Sequence, residues 1–160
     1  MNYKKTLFIT QAAMIASLYT VLVIIFKPIS FSDVQVRIAE ALTILPFFTP
    51  AAIPGVAIGC FISGIVTGAN IFDIVFGSLA SLIAAVLTYQ LRRHKFLVPV
   101  PPILVNAIVI PWVLRYAYEV PLPIPFMMLT VGIGEVLACG VLGLCLLFAL
   151  EKVKHIVFKN

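Results

Sequence analysis

The sequence predicts an all-α membrane protein, a compact bundle of six transmembrane helices with both termini cytoplasmic. Three observations carry this. Of 160 residues, 62% are hydrophobic and only 11% charged, with a mean hydropathy of +1.17, whereas an ordinary soluble domain is roughly half apolar. Apolar runs near the ~20 residues that cross a hydrocarbon core recur from end to end. No linker long enough to separate domains interrupts them, so residues 1–160 read as a single integral membrane domain.

The first span, about 6–26, follows "MNYKK". Its apolar core outruns that of a secretory signal, so it is expected to stay as a helix. It ends at "KPISFSD", where Pro28, Ser30, Ser32 and Asp33 first break and then cap. A shorter second span, about 35–50, stops where Pro50 and Pro54 bracket a tight turn. The third, 54–68, carries Gly55, Gly59, Ser63 and Gly68, small residues that let neighbouring backbones approach. The fourth covers about 70–91.

After "RRHK" the fifth span runs over about 96–118, with Pro99, Pro101, Pro102 and Pro111 in it. Each proline removes a backbone hydrogen bond, so this helix belongs inside protein or beside a cavity. "EVPLPIP" makes a stiff connection to the sixth span, about 126–150, and a basic tail follows.

Lysines and arginines set the orientation. With a cytoplasmic N-terminus, the inner side holds Lys4, Lys5, Arg92, Arg93, Lys95, Lys152, Lys154 and Lys159, against Lys27, Arg37 and Arg115 outside. The net charge of +5 is thereby assigned to topology and anionic lipid, not to nucleic acid. Cys60, Cys139 and Cys145 match no zinc or redox spacing and read as small core residues. His94 and His155 sit in basic segments, and no "GxxxxGK[ST]" or "HExxH" occurs. The chain therefore reads as no enzyme, without a cofactor or metal.

The remaining ionisable residues gather toward the outer side. A charge at mid-bilayer costs about 2.5–3.5 kcal/mol, and a shared polar cavity relieves that cost. Arg37 and Glu40 open the second span, Asp73 the fourth, and Arg115 and Glu119 end the fifth. As local i,i+3 and i,i+4 pairs they would contribute only a few tenths of a kcal/mol.

Glu135 lies deeper, within "TVGIGEVLACGVLG", and has no basic neighbour on its own helix. Leu137 stands where a dinucleotide loop needs its third glycine, and no strand precedes it. Gly132 and Cys139 share the Glu135 face at i−3 and i+4, leaving the carboxylate room as a pocket wall. A carboxylate accepts two parallel hydrogen bonds, which suits a ligand edge with adjacent N–H donors, such as a guanidine or a guanine-like ring.

Trp112, Tyr116, Tyr118, Phe126, Phe31 and Phe72 cluster at the same level, either as an interfacial belt or as a stacking floor for a flat heterocycle. Asn70 and Asn106 add neutral polar groups that could face a ligand or a neighbouring backbone. Ala12 and Ala16, with Ala13 and Ser17 beside them, form a small-xxx-small step that suits packing in the bundle or against a partner.

"VQVRIAEALTILP", "VGIGEVLACGVLG" and the "AAMIA" step, laid over six spans, resemble the queuosine-precursor (QueT-type) substrate-binding S components of energy-coupling factor transporters. The resemblance covers essentially the whole chain. It implies a subunit of a bacterial plasma membrane that captures substrate from outside and docks on a transmembrane coupling protein carrying two ATPase subunits. Ala12 and Ala16 would face that coupling protein.

The implied ligand is a 7-deazaguanine, 7-aminomethyl-7-deazaguanine or queuine. Arg37, Glu40, Asn70, Asp73, Asn106, Trp112, Arg115 and Glu135 are the expected substrate-binding residues. Glu135 or Glu40 would pair with the ring edge, and an acid such as Asp73 with the ammonium. Two rival expectations are an S component for another flat vitamin, such as riboflavin or a pyridoxine-like compound, and a small membrane enzyme or assembly subunit.

Overall fold

The computed structural model describes residues 3–30 and 37–157. In order these form α1 (Tyr3–Ile25), α2 (Lys27–Ser30), a 3-10 helix (Ile38–Phe47), α3 (Ala52–Thr67) and α4 (Ile71–Gln90). A short 3-10 turn (Lys95–Leu97) leads to α5 (Val100–Ala117), α6 (Ile124–Glu135), a π-helical stretch (Val136–Gly143) and α7 (Leu144–Val157). No strand occurs among the described residues. Because α6, the π stretch and α7 run on without a break, the chain has the six-helix membrane-like plan expected. Tyr3–Ile25, Ile71–Gln90, Lys95–Ala117 and Ile124–Lys154 are long and apolar enough to cross a bilayer.

Two elements differ from expectation in their detail. The second span is a 3-10 helix that starts at Ile38; its expected start near Gln35 and the expected caps Ser32 and Asp33 lie outside the described residues, as do Phe31 and Lys159. The fifth helix begins at Val100, later than residue 96, with Pro101 and Pro102 in its first turn, where a missing N–H costs no helical bond.

The 3-10 helix is the centre of the molecule. Every residue from Ala39 to Pro46 is buried, so it has no lipid-facing side. At about 2.0 Å per residue its ten residues reach ~20 Å, against ~15 Å for an α-helix of the same length. Runs this long are uncommon, because 3-10 hydrogen bonds are poorly aligned. Packing on every side and extra donors compensate: the Glu40 carbonyl accepts from Thr43 Oγ1 at 2.6 Å and from Cys139 Sγ at 3.3 Å.

Small residues set the approach of the surrounding helices. A methyl group on Gly59 would come within 2.8 Å of Tyr19 Cβ and 3.0 Å of the Ala16 carbonyl, so α1 and α3 meet backbone to backbone. A methyl on Gly143 would lie 3.0 Å from Ile44 Cγ2, which places the π stretch directly against the 3-10 helix. Gly68 ends α3 at φ 70°, a left-handed conformation that favours glycine. Asn70 then caps α4 by accepting the Phe72 N–H.

Charged groups divide between the two ends. Lys95 and Glu151 pair at 2.5 Å at one end. At the other, Lys27 donates to the Thr67 carbonyl, and Arg37 meets Asp73.

Candidate functional site

The site has two levels, and Tyr19 joins them. The deeper level is a buried polar cluster in the middle of the bundle. Glu40, from the first turn of the 3-10 helix, and Glu135, from the last turn of α6, are each only 1% exposed. Oxygens of the two carboxyls and the Cys139 sulfur lie within 4.8 Å of one another. Cys139, one turn after Glu135, donates to Glu135 Oε2 at 3.2 Å. The π stretch begins at the residue after Glu135 and keeps both Glu135 and Cys139 turned to the 3-10 helix.

Asn106 on α5 and Ser81 on α4 complete this level. Both are buried, and both lie within interaction range of the Glu40 carboxyl. Two polar atoms have no hydrogen-bond partner among the described residues, Glu40 Oε2 and Asn106 Nδ2. Most buried polar atoms are paired, and these two, an acceptor and a donor within interaction range of each other, are exceptions to that rule.

The outer level is a network around Asp73. Arg37 Nη2 lies 3.6 Å from Asp73 Oδ1. The Tyr118 hydroxyl donates to Asp73 Oδ2 at 3.0 Å and accepts from the Asn70 N–H at 3.1 Å. Burial pushes the Tyr118 phenol above its usual range, so it remains a proton donor to the carboxylate. Asn70 Nδ2 also donates to the Ala117 carbonyl, tying the start of α4 to the end of α5.

A cavity of about 60 Å³ is lined by Arg37 and Asp73 of the outer level together with Tyr19, Cys60 and Ser63, and the deep carboxyls are not among its walls. The Tyr19 hydroxyl donates to Glu40 Oε1 at 2.5 Å. Glu135 is thus connected to Arg37 and Asp73 through Glu40, Tyr19 and the hollow. That volume holds a few waters and is too small for a bicyclic ring.

The expected site residues fall into three groups. Glu40, Glu135 and Asn106 come together in the deep cluster, and Arg37, Asp73 and Asn70 in the outer network. Arg37 pairs across helices with Asp73, not locally with Glu40. Trp112 and Arg115 stand apart from both. Trp112 is 45% exposed and stacks on Tyr116 in an outward groove between α4 and α5 with Phe72 and Phe76. Arg115 donates to the Val120 carbonyl in its own connection, and Glu119 follows at φ 53°.

Ala16 is buried against α3 and Ala12 half-buried. Both border an apolar groove of about 630 Å³ on the outer side of α1 and α3. Sequence reasoning missed Tyr19 and underrated Cys139. A phenol deep inside an apolar span was the available signal, because a buried hydroxyl needs a partner.

The family model described as QueT transporter matches residues 9–152, nearly the whole chain. No curated protein and no solved structure matches it.

Proposed function

Because this chain belongs to the QueT transporter family, a family of transporters and not of enzymes, we propose that it is the substrate-binding subunit of an ATP-driven energy-coupling factor system that takes up a queuosine precursor. The substrate is 7-aminomethyl-7-deazaguanine or queuine. A transmembrane coupling protein and two ATPase subunits supply the drive, and the chain sits in a bacterial plasma membrane with both termini cytoplasmic.

The observation that carries this reading is the Glu40–Glu135 pair, two carboxyl groups buried in the bundle with unpaired polar atoms beside them. Each carboxyl has one protein donor, Tyr19 or Cys139, and burying so much further acceptor capacity is costly unless another partner is bound. The partner they suit is a ring with N–H donors that also carries a cation. Glu40 takes the ring edge. Asp73 is already shared by Arg37 and Tyr118, which leaves Glu135 for the aminomethyl ammonium. Arg37, Asp73 and Asn70 line the way in from the lysine-poor end. Trp112 and Arg115 lie near that same end and serve the entrance, not the ring.

The test is mass spectrometry of small molecules that co-purify with the protein, followed by calorimetric titration with a panel containing both deazaguanines, riboflavin and pyridoxine. Tight binding of a deazaguanine alone is the expected result. Binding of riboflavin or pyridoxine in its place would overturn the substrate assignment.

A further inference from the structure

The two unpaired atoms of the deep cluster are of opposite kinds. Glu40 Oε2 is an acceptor and Asn106 Nδ2 a donor, and both belong to side chains at least 98% buried, with Glu40 1% and Asn106 2% exposed. Asn106 lies within interaction range of both the Glu40 and the Glu135 carboxyl. Glu40 Oε1 already accepts from Tyr19, which fixes the carboxyl plane and leaves Oε2 as its open position.

The groups of this cluster could also suggest a metal ion, since Glu40, Glu135 and Cys139 converge. The pairing argues otherwise. The Cys139 thiol is engaged by Glu135 and by the Glu40 carbonyl, and an unpaired amide N–H has nothing to offer a cation. A ligand edge that answers both atoms presents a donor beside an acceptor. A cyclic amide does this: its ring N–H faces a carboxylate and its adjacent C=O faces an amide N–H.

We propose that Glu40 Oε2 and Asn106 Nδ2 together read the cyclic-amide edge of the substrate ring, and that Asn106 supplies the share of the discrimination between 6-oxo and 6-amino rings that the ring oxygen carries. This rests on the deazaguanine reading above. In a 6-amino ring both positions invert, because the ring nitrogen loses its proton and an amino group replaces the oxygen. Donor then meets donor and acceptor meets acceptor. Sites that hydrogen-bond a substrate group in the dry discriminate steeply against a ligand that cannot answer.

The experiment is calorimetric titration of the purified full chain with 7-aminomethyl-7-deazaguanine and with its 6-amino counterpart. The wild type binds the 6-oxo compound at least about 100-fold more tightly. In Asn106→Leu, which removes the donor, that ratio falls below about tenfold, mainly through loss of the 6-oxo compound. Asn106→Ala, which removes the donor without adding bulk, lowers the ratio likewise.

Wild-type binding of both compounds within about threefold overturns the assignment whatever the variants do, and leaves the transport reading intact. A folded Asn106 variant that keeps the wild-type ratio overturns it too. Binding of neither compound by the wild type overturns the substrate reading and this assignment with it.

Discussion

The Tyr19 hydroxyl donates to Glu40 Oε1 at 2.5 Å, so one hydrogen bond fastens α1 to the central 3-10 helix beside the cavity that Tyr19 lines with Arg37 and Asp73. Both side chains are buried, at 2% and 1% exposure. Removing the donor strands a second oxygen on a carboxyl group that already has one unpaired. Tyr19→Phe should therefore cost about 1–3 kcal/mol. For a chain of this length that lowers the unfolding midpoint by roughly 2–10 °C, read by thermal unfolding in detergent. An unchanged midpoint would mean that the bond contributes nothing to the fold.

Glu135→Gln separates charge from shape. The amide oxygen can still accept from Cys139, so the local helix is preserved. What is lost is the carboxylate that faces the aminomethyl ammonium in the proposed complex. Affinity for 7-aminomethyl-7-deazaguanine should fall about 10- to 100-fold, the worth of one charge-assisted hydrogen bond. The uncharged 7-cyano analogue should lose less than about threefold, since Glu40 and not Glu135 holds its ring. Equal losses for both ligands would place Glu135 on the ring edge instead, and a change within about twofold for both would remove it from the site.

The helical plan and the location of the acids were legible in the sequence, since hydropathy over ~20 residues and the scarcity of charge are strong signals. Glu135 could be singled out because no base on its own helix could answer it. Partnerships were less legible. The i,i+3 spacing offered Glu40 to Arg37, yet the tightly wound helix turns Glu40 inward to Tyr19 and leaves Arg37 for Asp73, 36 positions along the chain. The 3-10 and π stretches meet at Ile44 and Gly143, a contact between distant parts of the chain that no local pattern encodes. By level alone Trp112 suited an interfacial belt or a stacking floor equally; which side of α5 it occupies depends on how neighbouring helices pack against α5, and the sequence pattern does not carry this.

Gly59 is the position where bundle packing and site geometry meet. Its missing side chain lets Tyr19 Cβ and the Ala16 carbonyl sit against α3. Gly59→Val has no flexible neighbour to displace, so α1 must shift outward and carry Tyr19 away from Glu40. Overpacking of this kind costs about 1–3 kcal/mol. Thermal unfolding should show that loss, and ligand affinity should drop together with it. Retained affinity with lowered stability would show that Tyr19 need not hold its place for binding.

The groove along α1 and α3 allows the proposed docking on a coupling protein to be tested apart from folding. Ala16 is a poor position to enlarge, because its backbone packs on Gly59 and any bulk there disturbs the bundle. Ala13 and Ser17 are exposed on the same groove, beside Ile58 and Ile62. Tryptophan at either position fills the groove from the outside without entering the α1–α3 contact. Ala13→Trp and Ser17→Trp should abolish substrate uptake in cells supplying the coupling protein and ATPases. Calorimetric affinity of the isolated subunit should meanwhile stay within about twofold, because neither side chain reaches the cavity or the carboxyl cluster. Ala16→Trp should lose uptake and binding together. Uptake that survives both Ala13→Trp and Ser17→Trp would move the docking face off α1, since a partner seated on small residues cannot accommodate an indole between the backbones.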